Sequence, residues 1–227
     1  IEMAKAVLVE VGLTDISVLV QDGTHVEAGA VLLTVRGDTR AILLAERTAL
    51  NFLGHLSGIA TLTRRWVDEV AGTQCAVRDT RKTTPGMRQL EKYAVRMGGG
   101  TNHRMSLSDA ALIKDNHIAA AGGVVAAFSQ VRAKFPSAPI EIEVDTLEQL
   151  KEVLPLKPDL VLLDNMSPQQ CAEAVAIAAG SCKLEASGGI SLENAKSYAL
   201  SGVDYLAIGA LTHSAPVLDI GLDLRVE

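Results

Sequence analysis

The sequence predicts an α/β protein: a parallel βα barrel behind a β-rich N-terminal module. Three observations predict it. Short apolar, β-prone runs recur after Cys75 with helix-like segments between them, the pattern of parallel βα units with right-handed crossovers. Each of these runs ends in polar or glycine residues, as strands do when their C-terminal ends converge on a barrel mouth. The first stretch of the chain instead alternates apolar and polar residues between tight turns, as short antiparallel strands do.

Taken in order, Ala4, Val7, Leu8 and Val11 carry helical spacing at the start. Alternation follows in Ser17-Val18-Leu19-Val20. The Asp22-Gly23 turn, Val26 and the Glu27-Ala28-Gly29 turn lead into Val31-Leu32-Leu33-Thr34-Val35 and Gly37-Asp38. Hairpins of this kind also occur in swinging-arm carrier domains, but no lysine sits at the turn to carry a lipoyl or biotinyl group. From Glu46 to Val70 the period becomes helical, with Leu50, Leu53, Leu56, Ile59, Leu62, Trp66 and Val70 in phase and Gly72 as a stop. Strands are then expected at Ala76 to Arg78, Ala111 to Ile113, Ile140 to Val144, Leu160 to Leu163, Lys183 to Glu185 and Tyr205 to Ile208, about six in all. Helices are expected at Leu147 to Leu154, Pro168 to Ala179 and Leu192 to Leu200. A doubly wound open sheet ranks second, because no G-x-G-x-x-G follows the first strand.

Composition bounds the function. The chain has 227 residues, 48% of them hydrophobic, and 21 Lys+Arg against 27 Asp+Glu, which excludes disordered, collagenous and disulfide-scaffold classes. Cys75, Cys171 and Cys182 form no C-x-x-C pair, so reduced, mostly buried thiols and a cytoplasmic protein are expected. The longest stretch free of charged or strongly polar side chains, Ile118 to Phe128, is too short to span a bilayer. Charge is unevenly spread: between Cys75 and His117 stand Arg78, Arg81, Lys82, Arg88, Lys92, Arg96, Arg104 and Lys114 against Asp79, Glu91, Asp109 and Asp115. With Tyr93 the one aromatic there, the stretch suits a compact pocket for a small polyanion better than a nucleic-acid face.

The strand ends carry the chemistry. Ser187-Gly188-Gly189 and Ile208-Gly209-Ala210 follow consecutive late strands, where glycine-rich loops let backbone N–H groups approach a phosphate. Glu143 and Asp164 end two neighbouring strands and together suit a hard divalent cation such as Mg2+, held directly or through water beside a diphosphate. Arg81, Lys82, His103, Arg104 and Lys114, with Arg47 as an addition, exceed the cation one phosphate needs and suit a ligand with two carboxylates as well. The Gly98-Gly99-Gly100 run brings backbone close to that ligand. His117 reads equally as a satisfied core histidine.

Several long runs, in order, closely resemble the quinolinate phosphoribosyltransferase family, also called carboxylating nicotinate-nucleotide diphosphorylase. They are Glu46-Arg47-Thr48-Ala49-Leu50-Asn51, Leu56-Ser57-Gly58-Ile59-Ala60-Thr61, Asp79-Thr80-Arg81-Lys82-Thr83-Thr84-Pro85-Gly86 and Glu91-Lys92-Tyr93-Ala94-Val95. Gly98-Gly99-Gly100-Thr101-Asn102-His103-Arg104, Lys114-Asp115-Asn116-His117 and Ser187-Gly188-Gly189-Ile190 complete the set, which covers the whole chain.

The resemblance implies an incomplete α/β barrel with fewer strands than eight, beside an N-terminal α/β sandwich. Residues 1–45 would be the remainder of that sandwich, completed in part by C-terminal residues, with connecting helices at 46–74 and the barrel at 75–227. Family members begin with a further helix and strands ahead of the position of Ile1, so the sandwich is expected to be truncated in this sequence. The implied reaction joins quinolinate to 5-phosphoribosyl-1-diphosphate with Mg2+, releasing diphosphate and CO2 and giving nicotinate mononucleotide for NAD synthesis, in a homodimer. Carried over, the roles put the quinolinate carboxylates on Arg81, His103, Arg104 and Lys114, with Arg47 reaching in from the partner subunit. Lys82 lies between the substrates, Glu143 and Asp164 hold the metal-bound ribose diphosphate, and Ser187, Gly188, Gly189, Gly209 and His213 cradle phosphate, with Thr80, Ile208 and Ala210 in the same loops. The expected partners are these small molecules and a second copy of the chain, with neither nucleic acid nor membrane. Rival readings are a related pyrophosphorylase-like enzyme for another aromatic acid and a non-catalytic chain on the same scaffold.

Overall fold

The computed structural model describes residues 1–225. Helix α1 (Glu2–Glu10) precedes an antiparallel pair, β1 (Asp15–Val18) and β2 (Leu33–Arg36). Helix α2 (Thr39–Glu69) leads to the barrel: β3 (Ala76–Arg78), α3 (Arg88–Met97), β4 (Ala111–Ile113), α4 (Asp115–Ala121), α5 (Val124–Lys134) and β5 (Ile140–Val144). It continues with α6 (Leu147–Val153), β6 (Leu160–Asp164), α7 (Pro168–Ala178), β7 (Lys183–Ser187), α8 (Leu192–Leu200), β8 (Tyr205–Ala207) and α9 (Ala210–His213).

All pairings in the larger sheet are parallel and run β3-β8-β7-β6-β5-β4. The first strand of the sheet therefore pairs with the last, which is barrel order and displaces the doubly wound alternative. Closure is incomplete, because β3 and β4 are the unjoined edges. Thr101 extends the β3 edge by a single bridge, donating its amide to Val77 O at 2.8 Å and accepting from Asp79 N at 3.2 Å.

Helix α2 starts at Thr39, ahead of the expected Glu46, because Asp38 caps it by accepting the Ala41 amide at 3.0 Å. Its first half packs Ile42, Ala45, Ala49 and Leu53 into the small module, and its second half packs Ile59 and Trp66 into the barrel core. The C-terminal segment returns along this helix. A Cβ at Gly58 would come 2.0 Å from Pro216 O, so only glycine admits the crossing. Beyond it Ile220 and Leu222 reach the clusters around Leu53 and Leu8.

Strand phase decides what the barrel encloses. Ile140, Ile142 and Val144, Val161 and Leu163, Leu184 and Ala186, and Val77 and Leu206 all join the apolar core under the helices. The alternate positions, Arg78, Glu141, Glu143, Asp164, Glu185 and Ser187, face the barrel axis.

Candidate active site

The loop after β3 is held by a buried ion pair. Asp79 and Lys92 are both fully buried and salt-bridged, and Asp79 also accepts from Asn102 Nδ2 and from the His103 amide at 2.9 Å. Lys92 Nζ donates to His103 O at 2.9 Å. These bonds tie α3 and the β3 end to the segment bearing His103 and Arg104. Further along, Thr84 N donates to buried Glu91 Oε2 at 3.1 Å, and His55 Nε2 lies 2.9 Å from Glu91 Oε1. The loop carrying Thr80, Arg81 and Lys82 is thus clamped between α2 and α3.

Inside the barrel, Arg78 Nη1 donates to Glu185 Oε2 at 2.7 Å and its guanidinium stacks over Tyr205 at 4.1 Å. His103 Nε2 lies 2.8 Å from Glu141 Oε2 and 3.6 Å from Glu185 Oε1. The Arg104 amide donates to His103 Nδ1 at 2.7 Å, so Nδ1 acts as an acceptor and Nε2 is the nitrogen that can donate to Glu141. Burial and nearby Glu141 push Glu185 up to about 7, so it holds a proton that an exposed glutamate would lose. His103, Glu141 and Glu185 converge as metal ligands would. A hydrogen on Nε2 aimed at Glu141 removes the lone pair a cation requires, and Arg78 already engages Glu185 Oε2.

Arg81 and Arg104 are half-buried, each with an unpartnered buried Nε. Arg104 Nη1 donates to Ala110 O at 2.8 Å, and burial together with the neighbouring Arg81 lowers its pKa. Among the described residues neither guanidinium has an ion-pair partner. Opposite them on β4 and β5, Lys114 Nζ stands 3.3 Å from Glu143 Oε2. Asp164, at the end of neighbouring β6, is pushed up by burial and by Asp145. Asp164 has no ion-pair partner among the described residues, and with Glu143 on the neighbouring strand it supplies the oxygen donors that a hard divalent cation takes.

On the far side of the mouth, a Cβ at Gly209 would come 3.1 Å from both Lys82 Cδ and His213 Nε2, which places the three together. Thr212 Oγ1 donates to Lys82 O at 2.7 Å. Ile208 donates its amide to Arg78 O at 2.9 Å and sets the chain turning into Gly209 and Ala210. Ser187 ends β7 beside Asp164, and Gly188 is pressed against Asn165: at φ +87 its absent Cβ would sit 2.1 Å from Asn165 Oδ1. Gly189 follows in an exposed turn.

The structure therefore gathers Thr80, Arg81, Lys82, His103, Arg104, Lys114, Glu143, Asp164, Ser187 and the Gly209 loop at the strand C-terminal ends. Arg47 is exposed on α2, and among the described residues no hydrogen bond or ion pair joins it to the mouth. His103 turns both ring nitrogens toward protein partners. His117 is exposed, contrary to a core position, and accepts the Lys114 amide at 2.9 Å to cap α4. Arg78, Asp79 and Lys92 appear in the sequence only as members of the basic stretch or of the motif runs, and neither they nor Glu141 is given a role at the site there. The available signal was glutamate at alternate positions of Ile140-Glu141-Ile142-Glu143-Val144, a polar face inside a strand buried on both sides.

Comparison with known proteins agrees along the chain. Residues 59–223 match the model of the quinolinate phosphoribosyl transferase C-terminal domain, and residues 1–57 that of the N-terminal domain. A nicotinate-nucleotide pyrophosphorylase [carboxylating] of Mycobacterium leprae is 56% identical over 99% of this chain and 81% of its own. A probable enzyme of the same description from Bacillus subtilis is 43% identical over 91% and 72%. The solved nicotinate-nucleotide pyrophosphorylase of Ehrlichia chaffeensis superimposes with a TM-score of 0.93 at 41% identity, covering 99% of this chain and 81% of that one.

Proposed function

Because this chain belongs to the quinolinate phosphoribosyl transferase family, we propose that its barrel mouth joins quinolinate to 5-phosphoribosyl-1-diphosphate. The products are nicotinate mononucleotide, diphosphate and CO2. The chain is a carboxylating nicotinate-nucleotide pyrophosphorylase, a pentosyltransferase of NAD synthesis. The observation carrying the site assignment is the pair of half-buried guanidiniums, Arg81 and Arg104, that have no ion-pair partner among the described residues. Such a pair is costly unless a ligand anion completes it, and the two carboxylates of quinolinate supply that anion.

In this reading Arg81, Arg104 and Lys114 hold quinolinate by its carboxylates, and Lys82 stands between it and the ribose diphosphate. Ser187, Gly188 and the Gly209 loop with His213 bind phosphate. Mg2+ held by Glu143 and Asp164, directly or through water, would neutralise charge on the departing diphosphate. The acids at the mouth face the positive charge that develops at the ribose as diphosphate leaves. The quinolinate ring nitrogen attacks that carbon, positioned rather than activated by a base. Once quaternary, the positively charged nitrogen stabilises the electron pair left on the neighbouring ring carbon when its carboxylate departs as CO2, and a proton from solvent then completes that carbon. The remaining partner is a second copy of the chain, whose Arg47 completes the quinolinate site in trans; its exposure on α2, outside its own mouth, supports this. A cytoplasmic location rests on the three free thiols; no helix of the described residues is long and apolar enough to cross a membrane.

The test is release of labelled CO2 from carboxyl-labelled quinolinate, with 5-phosphoribosyl-1-diphosphate and Mg2+ each supplied or withheld. Release that needs both supports the reading. Quinolinate binding without release points to a non-catalytic chain, and neither binding nor release points to another aromatic acid.

A further inference from the structure

We infer that Arg78 and Glu185 are positioning residues for quinolinate: they hold Glu141 on His103, and His103 in turn holds the backbone of Arg104. The inference rests on the assignment of Arg104 to quinolinate. Neither Arg78 nor Glu185 lies in the rim of binding groups; both are inward-facing, on β3 and β7.

The geometry is a chain of contacts. Arg78 Nη1 meets Glu185 Oε2 at 2.7 Å, Glu185 Oε1 lies 3.6 Å from His103 Nε2, and Glu141 Oε2 takes that same nitrogen at 2.8 Å. On its other side the ring accepts the Arg104 amide at 2.7 Å. The backbone of His103 is already pinned by Asp79 and Lys92, so the ring is the one remaining freedom of this segment, and the carboxylates remove it.

Two buried carboxylates beside one guanidinium compete for it. Glu185 satisfies Arg78 and thereby leaves Glu141 to His103. Glu141 Oε1 and Glu185 Oε1 are both buried without a hydrogen-bond partner, and a proton held on Glu185 relieves the repulsion between the two side chains. Without Glu185, the half-buried Arg78 draws Glu141 to itself, His103 loses its acceptor, and its ring no longer meets the Arg104 amide in a fixed tautomer. The cost falls on the carboxylate-binding side of the mouth: the phosphate loop after β8 meets Arg78 through its backbone carbonyl, which accepts the Ile208 amide at 2.9 Å and is kept in side-chain variants.

The experiment compares full-length Glu185→Ala, Glu185→Gln and Arg104→Ala proteins by calorimetric titration with quinolinate and, separately, with 5-phosphoribosyl-1-diphosphate and Mg2+. The 15N signals of the His103 ring are recorded alongside. Glu185→Ala is expected to weaken quinolinate about tenfold and the ribose diphosphate less than about twofold, with the His103 signals moving toward a tautomer mixture. Glu185→Gln, whose amide donates toward Glu141 and whose carbonyl accepts from Arg78, restores quinolinate affinity and the His103 signals. Equal loss for both ligands, unchanged quinolinate affinity or unmoved His103 signals in Glu185→Ala overturns the inference. If Glu185→Ala does not fold, Arg78→Gln is read the same way. Arg104→Ala separates the two levels: if it leaves quinolinate affinity intact, the underlying assignment fails, whereas loss there with none in Glu185→Ala fails this inference alone.

Discussion

Lys114 Nζ stands 3.3 Å from Glu143 Oε2, so a cation assigned to quinolinate is paired with a carboxylate assigned to the metal and ribose diphosphate. The pair spans adjacent strands, β4 and β5, and couples the two halves of the mouth. Lys114→Ala is expected to weaken quinolinate about tenfold or more, as loss of a charge-assisted bond does, and to lower the Mg2+ concentration needed for half-maximal rate, since Glu143 is released from its competing cation. Initial rates over a grid of both concentrations check this; an unchanged Mg2+ requirement contradicts the coupling.

The fully buried Lys92–Asp79 pair places a structural demand next to a functional loop. Removing one partner strands the other, so Lys92→Met should cost about 3–5 kcal/mol of stability. Lys92→Met combined with Asp79→Leu should recover much of that stability but not activity, because Asp79 also orders Asn102 and the His103 amide. Urea unfolding midpoints read against turnover decide the point.

Glu185 sets the pH response of stability. Burial and Glu141 push it up to about 7 from the ordinary value of 4.5. Between those values the folded chain keeps a proton that the unfolded chain has lost. Its contribution is therefore full below the unfolded value and declines as pH rises through the folded one. Unfolding midpoints of the parent should fall between pH 5 and 8 more steeply than those of Glu185→Gln, which has no proton to lose. Parallel profiles would place the stored proton elsewhere.

Exposed Arg47 on α2 gives a complementation test of the proposal that a second copy completes the site. Arg47→Ala and Arg81→Ala proteins, each inactive alone, should regain part of the parent rate when mixed and allowed to exchange subunits, since one mouth of each heterodimer is then intact. Absence of recovery after exchange is demonstrated by mass spectrometry would confine Arg47 to its own subunit.

Much of the barrel was legible in the sequence because its strands announce themselves locally. Ile140-Glu141-Ile142-Glu143-Val144 and Leu160-Val161-Leu162-Leu163-Asp164 are short β-prone runs with abrupt polar ends, and they form β5 and β6. Helix α3 was not, because Arg88, Gln89, Glu91, Lys92 and Arg96 make it read as solvated, whereas Glu91 and Lys92 are fully buried against distant partners. The early start of α2 was obscured for a related reason: Leu43 and Leu44 are exposed while Ile42 and Ala45 are buried, so the apolar run carries no readable phase.

By itself the sequence determined where the strands fall along the chain and the stock of cations and carboxylates at their ends, since these follow from local pattern, and its long motif runs carried the resemblance to the family. Tertiary structure alone decided that β3 pairs with β8, that His103 turns inward, and that Arg78, Glu141 and Glu185 meet beneath Arg104. The reason is physical. A strand's alternation says which residues share a face, but register and closure choose which distant charges become neighbours, and in a buried barrel those neighbours set both tautomer and charge.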